Sequence, residues 1–213
     1  METVGAFTAA QVRAAEEPLL AAGVPLMRRA AAALAELVAD LAPRRLLVLA
    51  GAGDNGGDAL FAAAALAERG VHVDVLPTAD RIHESGLAAV LRAGGEIVAA
   101  ADAVGRTYDT VLDGILGIGG RGGLRGRARE IVSALLPSMP RVVAVDLPSG
   151  LDPDDGDADG VVLPAAVTVT FGGVKAGLVR GAGQRLSGRI VLVELGLRLD
   201  DPVDEAFVEI VAG

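Results

Sequence analysis

The sequence predicts an α/β fold built on a parallel sheet with helices on both faces, and three observations predict it. Short apolar runs such as residues 46–49, Leu-Leu-Val-Leu, show no polar alternation, as expected of strands buried on both faces. These runs alternate along the chain with alanine-rich segments of helical period. They end in turns of Gly, Asp, Asn and Ser, which right-handed crossovers would gather at one edge, where such sheets bind ligands. With 213 residues the chain is expected to form one domain over 1–213. A helical segment would cover about 8–42 and the α/β core about 44–197.

Composition excludes several function classes. A net charge of −9 argues against nucleic acid or an anionic membrane as partner, since both need a basic patch. Without cysteine there is no disulfide, no thiol nucleophile and no cysteine zinc site. The only histidines, His72 and His83, make a histidine metal site or a Ser-His-Asp triad a poor expectation and read as structural or surface residues. No apolar run reaches the roughly 18 residues of a membrane span. The N-terminus lacks the basic and apolar blocks of a signal peptide. A cytoplasmic protein is therefore the expectation. Aromatic residues make up 2% of the chain, so any adenine or nicotinamide ring would meet aliphatic walls.

Taken in order, Thr8-Ala9-Ala10-Gln11 is a capping box, starting a helix expected to run to about Glu17 and stop at Pro18. Pro25 suits the first turn of a second helix, with Leu26, Ala30, Leu34, Leu37, Val38 and Leu41 on one face. These two helices would precede the first strand and cover a sheet edge or form a dimer interface. After residues 46–49, a helix is expected over 57–69, ended by Gly70. Strands follow at 71–76, 97–98 and 110–114, with a helix at 85–92 between the first two. A glycine-rich loop at 117–126 leads to a helix at 128–136. Later strands lie at 142–145, 167–171 and 190–193, and an acidic loop at 152–160.

Three strand-end turns carry the candidate chemistry. The first contains Gly51, Gly53 and Gly56 in G-x-G-x-x-G spacing, with Asp54, Asn55 and Asp58 among them. Such glycines admit phosphates to the N–H groups of a helix start, a pattern shared with plain strand-to-helix turns. The second carries Asp113 and the third Asp146 and Ser149. Each aspartate alone reads equally as a helix or turn cap. Gathered beside a phosphate-friendly turn they conflict, because carboxylates repel phosphates. A cation among the oxygens, or proton transfer by one carboxylate, resolves the conflict. Residues 117–123 offer N–H groups and Arg121 as a second phosphate cradle, or form a surface loop. Lys175 reaches the same edge or is solvated. Asp155-x-Asp157-x-Asp159-Gly160 imitates the start of a calcium loop, but Ala166 takes the twelfth position in place of glutamate, so a surface loop is expected.

GAGDNGGDAL, VLDGILGIGGRG, VVAVDLPSGLDPDDG and VTVTFGGVKAG, in this order, resemble the NAD(P)H-hydrate epimerase family, the YjeF N-terminal domain. LMRRAAAALAELV is similar to that family's early helix, and the resemblance spans residues 8–197. It implies a Rossmann-like three-layer α/β/α sandwich with a mostly parallel central sheet and two N-terminal helices, usually as a homodimer. The activity it implies is metabolite repair, interconverting R and S forms of hydrated NADH and NADPH, with a dehydratase, separate or fused, as functional partner. It implies one potassium ion, held by Asn55, Asp113 and Ser149 with backbone carbonyls. The hydrated dinucleotide would touch Asp54, Asn55, Gly56, Gly57 and Asp58, then Gly117, Ile118, Gly119, Gly120, Arg121, Gly122 and Gly123, and Asp146. Asp146 would handle the proton and Lys175 would orient the amide or water. Three positions depart from the family pattern: Asp54 replaces a common asparagine, Ile118 a threonine and Val174 a proline.

Two other readings stand beside this one. In an NAD-dependent dehydrogenase, Asp74 would bind ribose at the end of the second strand. A non-enzymatic or catalytically weak nucleotide-binding protein on the same fold is the other, since fold does not fix function.

Overall fold

The computed structural model describes residues 1–120, 122–138 and 140–213. It opens with a strand, β1 (Glu2–Phe7), followed by helices α1 (Ala9–Ala21) and α2 (Leu26–Ala39). The alternating part runs β2 (Arg45–Ala50), α3 (Asp54–Glu68), β3 (His72–Pro77), α4 (Glu84–Arg92), β4 (Glu96–Ile97), α5 (Ala100–Gly105), β5 (Thr110–Gly114), α6 (Gly126–Leu135) and β6 (Val142–Val145). It closes with β7 (Val167–Phe171), β8 (Val174–Lys175), a short α7 (Gly183–Leu186), β9 (Arg189–Glu194) and β10 (Asp204–Ala212). The strands form one sheet in the order β4-β3-β2-β5-β6-β7-β9-β10-β1-β8. From β4 to β10 every pairing is parallel, and only β1 runs antiparallel to its neighbour β10.

The two faces of β2 explain the unbroken apolar run. Leu46, Val48 and Ala50 join one core with residues of α2, α3 and α4. Leu47 and Leu49 join another with Ala103 of α5 and Ala128, Ile131 and Leu135 of α6. The sheet is thus covered on both sides, the three-layer α/β/α arrangement. A third core lies under the far end of the sheet, where Val174, Leu192, Ala206 and Val208 meet Leu147 and Leu151. Only Gly172 and Gly173 separate β7 from β8, yet β8 pairs with β1 at the sheet's last position. The far end must therefore curl back over the carboxyl end of β7. Among the described residues, no helix is long and apolar enough to cross a membrane.

Several expectations are corrected. The chain begins with a strand that sequence reading missed, as it missed β10. These two termini pair with each other, Glu2 opposite Val208 and Ala6 opposite Asp204. Their signal was the alternation in β10, where Ala206 and Val208 are buried and Phe207 is exposed. Pro18 does not stop α1, which continues to Ala21. Pro18 and Ala14 both lie on the exposed side, so the carbonyl left without a partner faces water. The capping box at Thr8 and Gln11 forms as expected. The apolar stripe of α2 packs into this chain's own core, with Leu34 and Val38 fully buried. The stripe is thus covered within the chain itself. α3 starts at Asp54 rather than 57, so Asp54 to Asp58 form its first turns, and the short helix α5 was unforeseen.

Candidate active site at the carboxyl edge of the sheet

Strand order reverses between β2 and β5: the chain leaves β2 for β3 and β4 on one side and then returns to β5 on the other. A crevice opens at the carboxyl ends of strands at such a switch point. Here the turn after β2 is held against β5 by the Gly51 N–H, which donates to Gly114 O at 3.0 Å. A Cβ at Gly51 would overlap the Ile115 carbonyl, and one at Gly56 would overlap the Gly51 carbonyl. Two of the three motif glycines are thus demanded by the protein's own backbone packing. Gly53 stands in open space as the N-cap of α3. Asp54 lies exposed in the first turn, where the helix dipole favours a negative charge.

Asn55, Asp113 and Ser149 come together around this crevice. Asn55 is buried and its side-chain nitrogen donates to Val145 O at 2.7 Å. Its oxygen turns toward Gly117, where a Cβ would lie 2.9 Å away. Asp113 is buried near the end of β5; its Oδ2 accepts from the Ser149 N–H at 2.9 Å and its Oδ1 from the Ile115 N–H at 3.3 Å. Burial pushes the Asp113 carboxyl up despite these hydrogen bonds. Ser149 Oγ accepts from the Leu116 N–H at 2.9 Å and donates to Leu116 O at 3.2 Å. All the donors here are oxygens, and only one is a carboxylate.

Asp146, just past β6, has φ of 70°, a left-handed conformation that aspartate tolerates better than most residues. The strain is held by its N–H, which donates to Val169 O at 2.8 Å, and by the Leu147 N–H, which donates to Val145 O at 2.9 Å. Lys175, expected at this edge but equally readable as solvated, is 1% exposed, and its ammonium is bonded to Asp146 Oδ1. The same oxygen accepts from Thr170 Oγ1 at 3.2 Å and the Phe171 N–H at 3.3 Å. Lys175 also donates to Phe171 O at 2.9 Å and Thr170 Oγ1 at 3.2 Å. Asp146 Oδ2 receives no hydrogen bond from the described residues. The two-glycine link from β7 to β8 brings Lys175 back over the strand end.

Asp58, in the second turn of α3, is buried, and its Oδ1 has no hydrogen-bond partner among the described residues. Its pKa is pushed up to about 8 by burial first, then by the negative charges of Asp146, Asp54 and Glu16, with Lys175 pulling the other way. Glu16 and Arg13 on α1 were missed by sequence reading. Burial raises the Glu16 carboxyl, opposed by Lys175. Arg13 donates to the Ile118 carbonyl, so α1 forms one wall of the site. Their signal was spacing: three apart, they share a helix face. Thr170 was also missed; a polar residue inside a buried strand needs a partner.

The glycine-rich loop is only partly at the site. Gly117 lies against Asn55 and Ile118 against Arg13, whereas a Cβ at Gly123 would meet the Asp159 carboxylate. Gly120 donates to Gly117 O at 2.9 Å, closing a turn, and Gly119 and Gly122 are exposed. Arg121 lies outside the described residues. In the acidic loop the carboxylates serve the backbone: Asp155 accepts from the Asp157 N–H at 2.8 Å and Asp159 from the Val161 N–H at 3.1 Å. Among the described residues no group of three His, Cys, Asp or Glu is placed to hold a metal ion. Asp74 does not reach the carboxyl edge. Fully buried in the first half of β3, it accepts from Tyr108 Oη at 2.8 Å and Arg106 Nη1 at 3.0 Å. The ribose role of a dehydrogenase is thus closed to it.

The chain is 59% identical over 205 residues to the NAD(P)H-hydrate epimerase of Microbacterium testaceum, covering 92% of this chain and 80% of that one. It is 45% identical over 200 residues to the bifunctional NAD(P)H-hydrate repair enzyme Nnr of Mycobacterium tuberculosis, covering 88% of this chain and 41% of that protein. Among solved structures, that of yeast ynu0 superposes with a TM-score of 0.75 at 20% identity over 85% of this chain and 86% of its own, a likeness of fold. The profile of the YjeF-related protein N-terminus matches residues 23–177, which hold every strand-end turn of the site, and the chain belongs to that family.

Proposed function

We propose that the chain is an NAD(P)H-hydrate epimerase, an isomerase that interconverts the R and S forms of hydrated NADH and NADPH. The observation that carries this reading is the buried Lys175–Asp146 pair, which leaves one carboxylate oxygen free beside a glycine turn suited to phosphates. The relative at 59% identity bears this name. The hydrated ring carries a hydroxyl on C6, bonded to the ring nitrogen. Proton transfer to that hydroxyl lets water leave with help from the nitrogen lone pair, giving a planar cation. Water then returns to either face. Asp146 exchanges the proton through Oδ2, and Lys175 holds it in place and balances its charge. The turn from Gly53 to Gly56 at the start of α3 and Gly117 to Gly120 receive the pyrophosphate.

The oxygen set of Asn55, Asp113 and Ser149 fits a monovalent cation such as potassium. Among the described residues, the Asn55 amide oxygen accepts no hydrogen bond and the buried Asp113 carboxylate has no cationic side chain bonded to it. Bound there, potassium would offset the repulsion between the site's carboxylates and the substrate's phosphates. A dehydratase that consumes one epimer would be the functional partner. A homodimer belongs to the same reading. Met1 and Phe207, near neighbours across β1 and β10, are two of the large exposed apolar side chains that would meet a second copy. Conversion of R-hydrated NADPH, coupled to an excess of dehydratase specific for the S form, tests the activity. A rate no faster than the spontaneous one would refute it.

A further inference from the structure

Epimerisation needs water to leave one face of the ring and return to the other. Asp146 cannot serve both faces by swinging. Lys175, Thr170 and the Phe171 N–H all hold its Oδ1, and its backbone is locked at a positive φ. A second proton-carrying group would serve the face that Asp146 does not reach. Asp58 is 8% exposed, and its Oδ1 is buried without a donor. Among the described residues, the charged groups that act on it most strongly are Asp146 beyond β6, Asp54 on its own helix, Glu16 on α1 and Lys175 on β8. Three of these four are carboxylates, and the one ammonium is already committed to Asp146. A buried carboxyl in these surroundings keeps its proton near neutral pH, and a neutral carboxyl is a hydrogen-bond donor.

We propose that Asp58 is the second catalytic residue of the epimerisation, the acid that protonates the C6 hydroxyl on the face opposite Asp146. This rests on the epimerase reading. In one direction the Asp58 carboxyl gives its proton to the C6 hydroxyl. The C6–O bond breaks, water leaves, and the nitrogen lone pair forms the C6–N double bond. A water on the other face then attacks C6, the double-bond pair returns to nitrogen, and Asp146 Oδ2 takes the proton released. The net result is inversion at C6 with one proton moved from Asp58 to Asp146, and solvent exchange restores the starting state. The opposite direction uses the same two groups with their roles exchanged.

The test compares wild type, Asp58→Asn and Asp58→Glu by coupled R-to-S conversion over a range of pH, with the spontaneous rate subtracted. Binding of NADP+ as an unreactive dinucleotide is followed by calorimetry, and thermal melting checks that each variant is folded. The expected result is a loss of about 10²–10⁴-fold in kcat for Asp58→Asn with NADP+ affinity changed by less than about threefold. The alkaline fall of the wild-type profile disappears in Asp58→Asn and is retained, at lower activity, in Asp58→Glu. A protonated-carboxyl infrared band at pH 6 is present in wild type and absent from Asp58→Asn. If Asp58→Asn changes only KM, or keeps both kcat and the alkaline limb, Asp58 is a substrate-binding group and the proposal is overturned while the epimerase reading stands. If wild type does not exceed the spontaneous rate, the reading fails and the proposal with it.

Discussion

Lys175 Nζ and Asp146 Oδ1 form an ion pair inside the protein, with side chains 1% and 9% exposed. They lie on strand ends 29 residues apart, brought together by the curl of the sheet after β7. Removing one partner of a buried pair leaves a charge without compensation, at a typical cost of about 3–5 kcal/mol. Lys175→Ala should therefore destabilise by about that amount in urea unfolding. The double variant Asp146→Asn/Lys175→Met should recover most of the loss, since no lone buried charge remains. Equal destabilisation by the single and double variants would count against a coupled pair.

Asp146→Asn leaves the buried Lys175 ammonium without its counter-charge and should lose stability as Lys175→Ala does, but it keeps the local backbone, because asparagine also tolerates the positive φ and can still accept the Thr170 and Phe171 hydrogen bonds. It cannot exchange a proton at neutral pH. Turnover above the spontaneous rate should fall by about 10²–10⁴-fold with dinucleotide binding largely kept. Wild-type turnover in this variant would reduce the carboxylate to a ligand-binding group.

Much of this site could be read from residue order. The unbroken apolar runs at 46–49, 142–145 and 167–171 are strands buried on both faces, and right-handed crossovers place Asn55, Asp113, Asp146 and Ser149 at one edge. What could not be read depends on contacts far apart in sequence. β1 is half exposed and is a strand because it pairs with β10, some two hundred positions later. Nothing in the residue type announces the positive φ of Asp146, which the Val169 carbonyl enforces from a neighbouring strand. The burial of Lys175 follows from a two-glycine turn whose direction only the third core determines. Asp74 misleads because β3 runs on to Pro77, which leaves Asp74 in the first half of the strand and away from the carboxyl edge.

Asn55→Ala should act on cation and ligand binding before chemistry. The substitution removes the oxygen beside Gly117 and the hydrogen bond to Val145 O. We expect a raised KM that eases partly as potassium is increased, with kcat at saturation less affected. A defect that does not respond to potassium would remove Asn55 from the cation site.

Asp74 anchors the opposite end of β3 through Tyr108, Arg106, His72 and Arg45. Burial alone would raise its carboxyl, but the hydrogen bonds from Tyr108 and Arg106 and the neighbouring positive charges outweigh it, and the pKa is lowered. Its stabilisation is therefore complete above the unfolded value of 3.8 and is lost as pH falls through the lower folded value. Asp74→Asn should destabilise at neutral pH by about 1.5–3 kcal/mol, the range for hydrogen bonds to charged groups. Its stability should also decline less steeply below about pH 4. Urea titrations at pH 7 and pH 3 separate the two effects, and epimerase activity per folded molecule should be unchanged.

Asp58 has the opposite sign. Its folded pKa of about 8 lies far above the unfolded 3.8, so between these values the native protein holds a proton that the unfolded chain has released. Stability must then fall as pH rises through this window, by at most about 1.4 kcal/mol per pH unit from this one group. Asp58→Asn removes the titration but keeps the size and polarity of the side chain. Below about pH 3, where both states of the wild type are mostly protonated, the variant and wild type should differ little. By pH 8 the variant should be the more stable protein while being the slower catalyst, the trade expected where a buried titratable group serves chemistry at the expense of the fold. Urea midpoints measured every half unit from pH 4.5 to 8 give the two slopes directly. Parallel slopes for wild type and variant would mean that Asp58 titrates alike in the folded and unfolded chain.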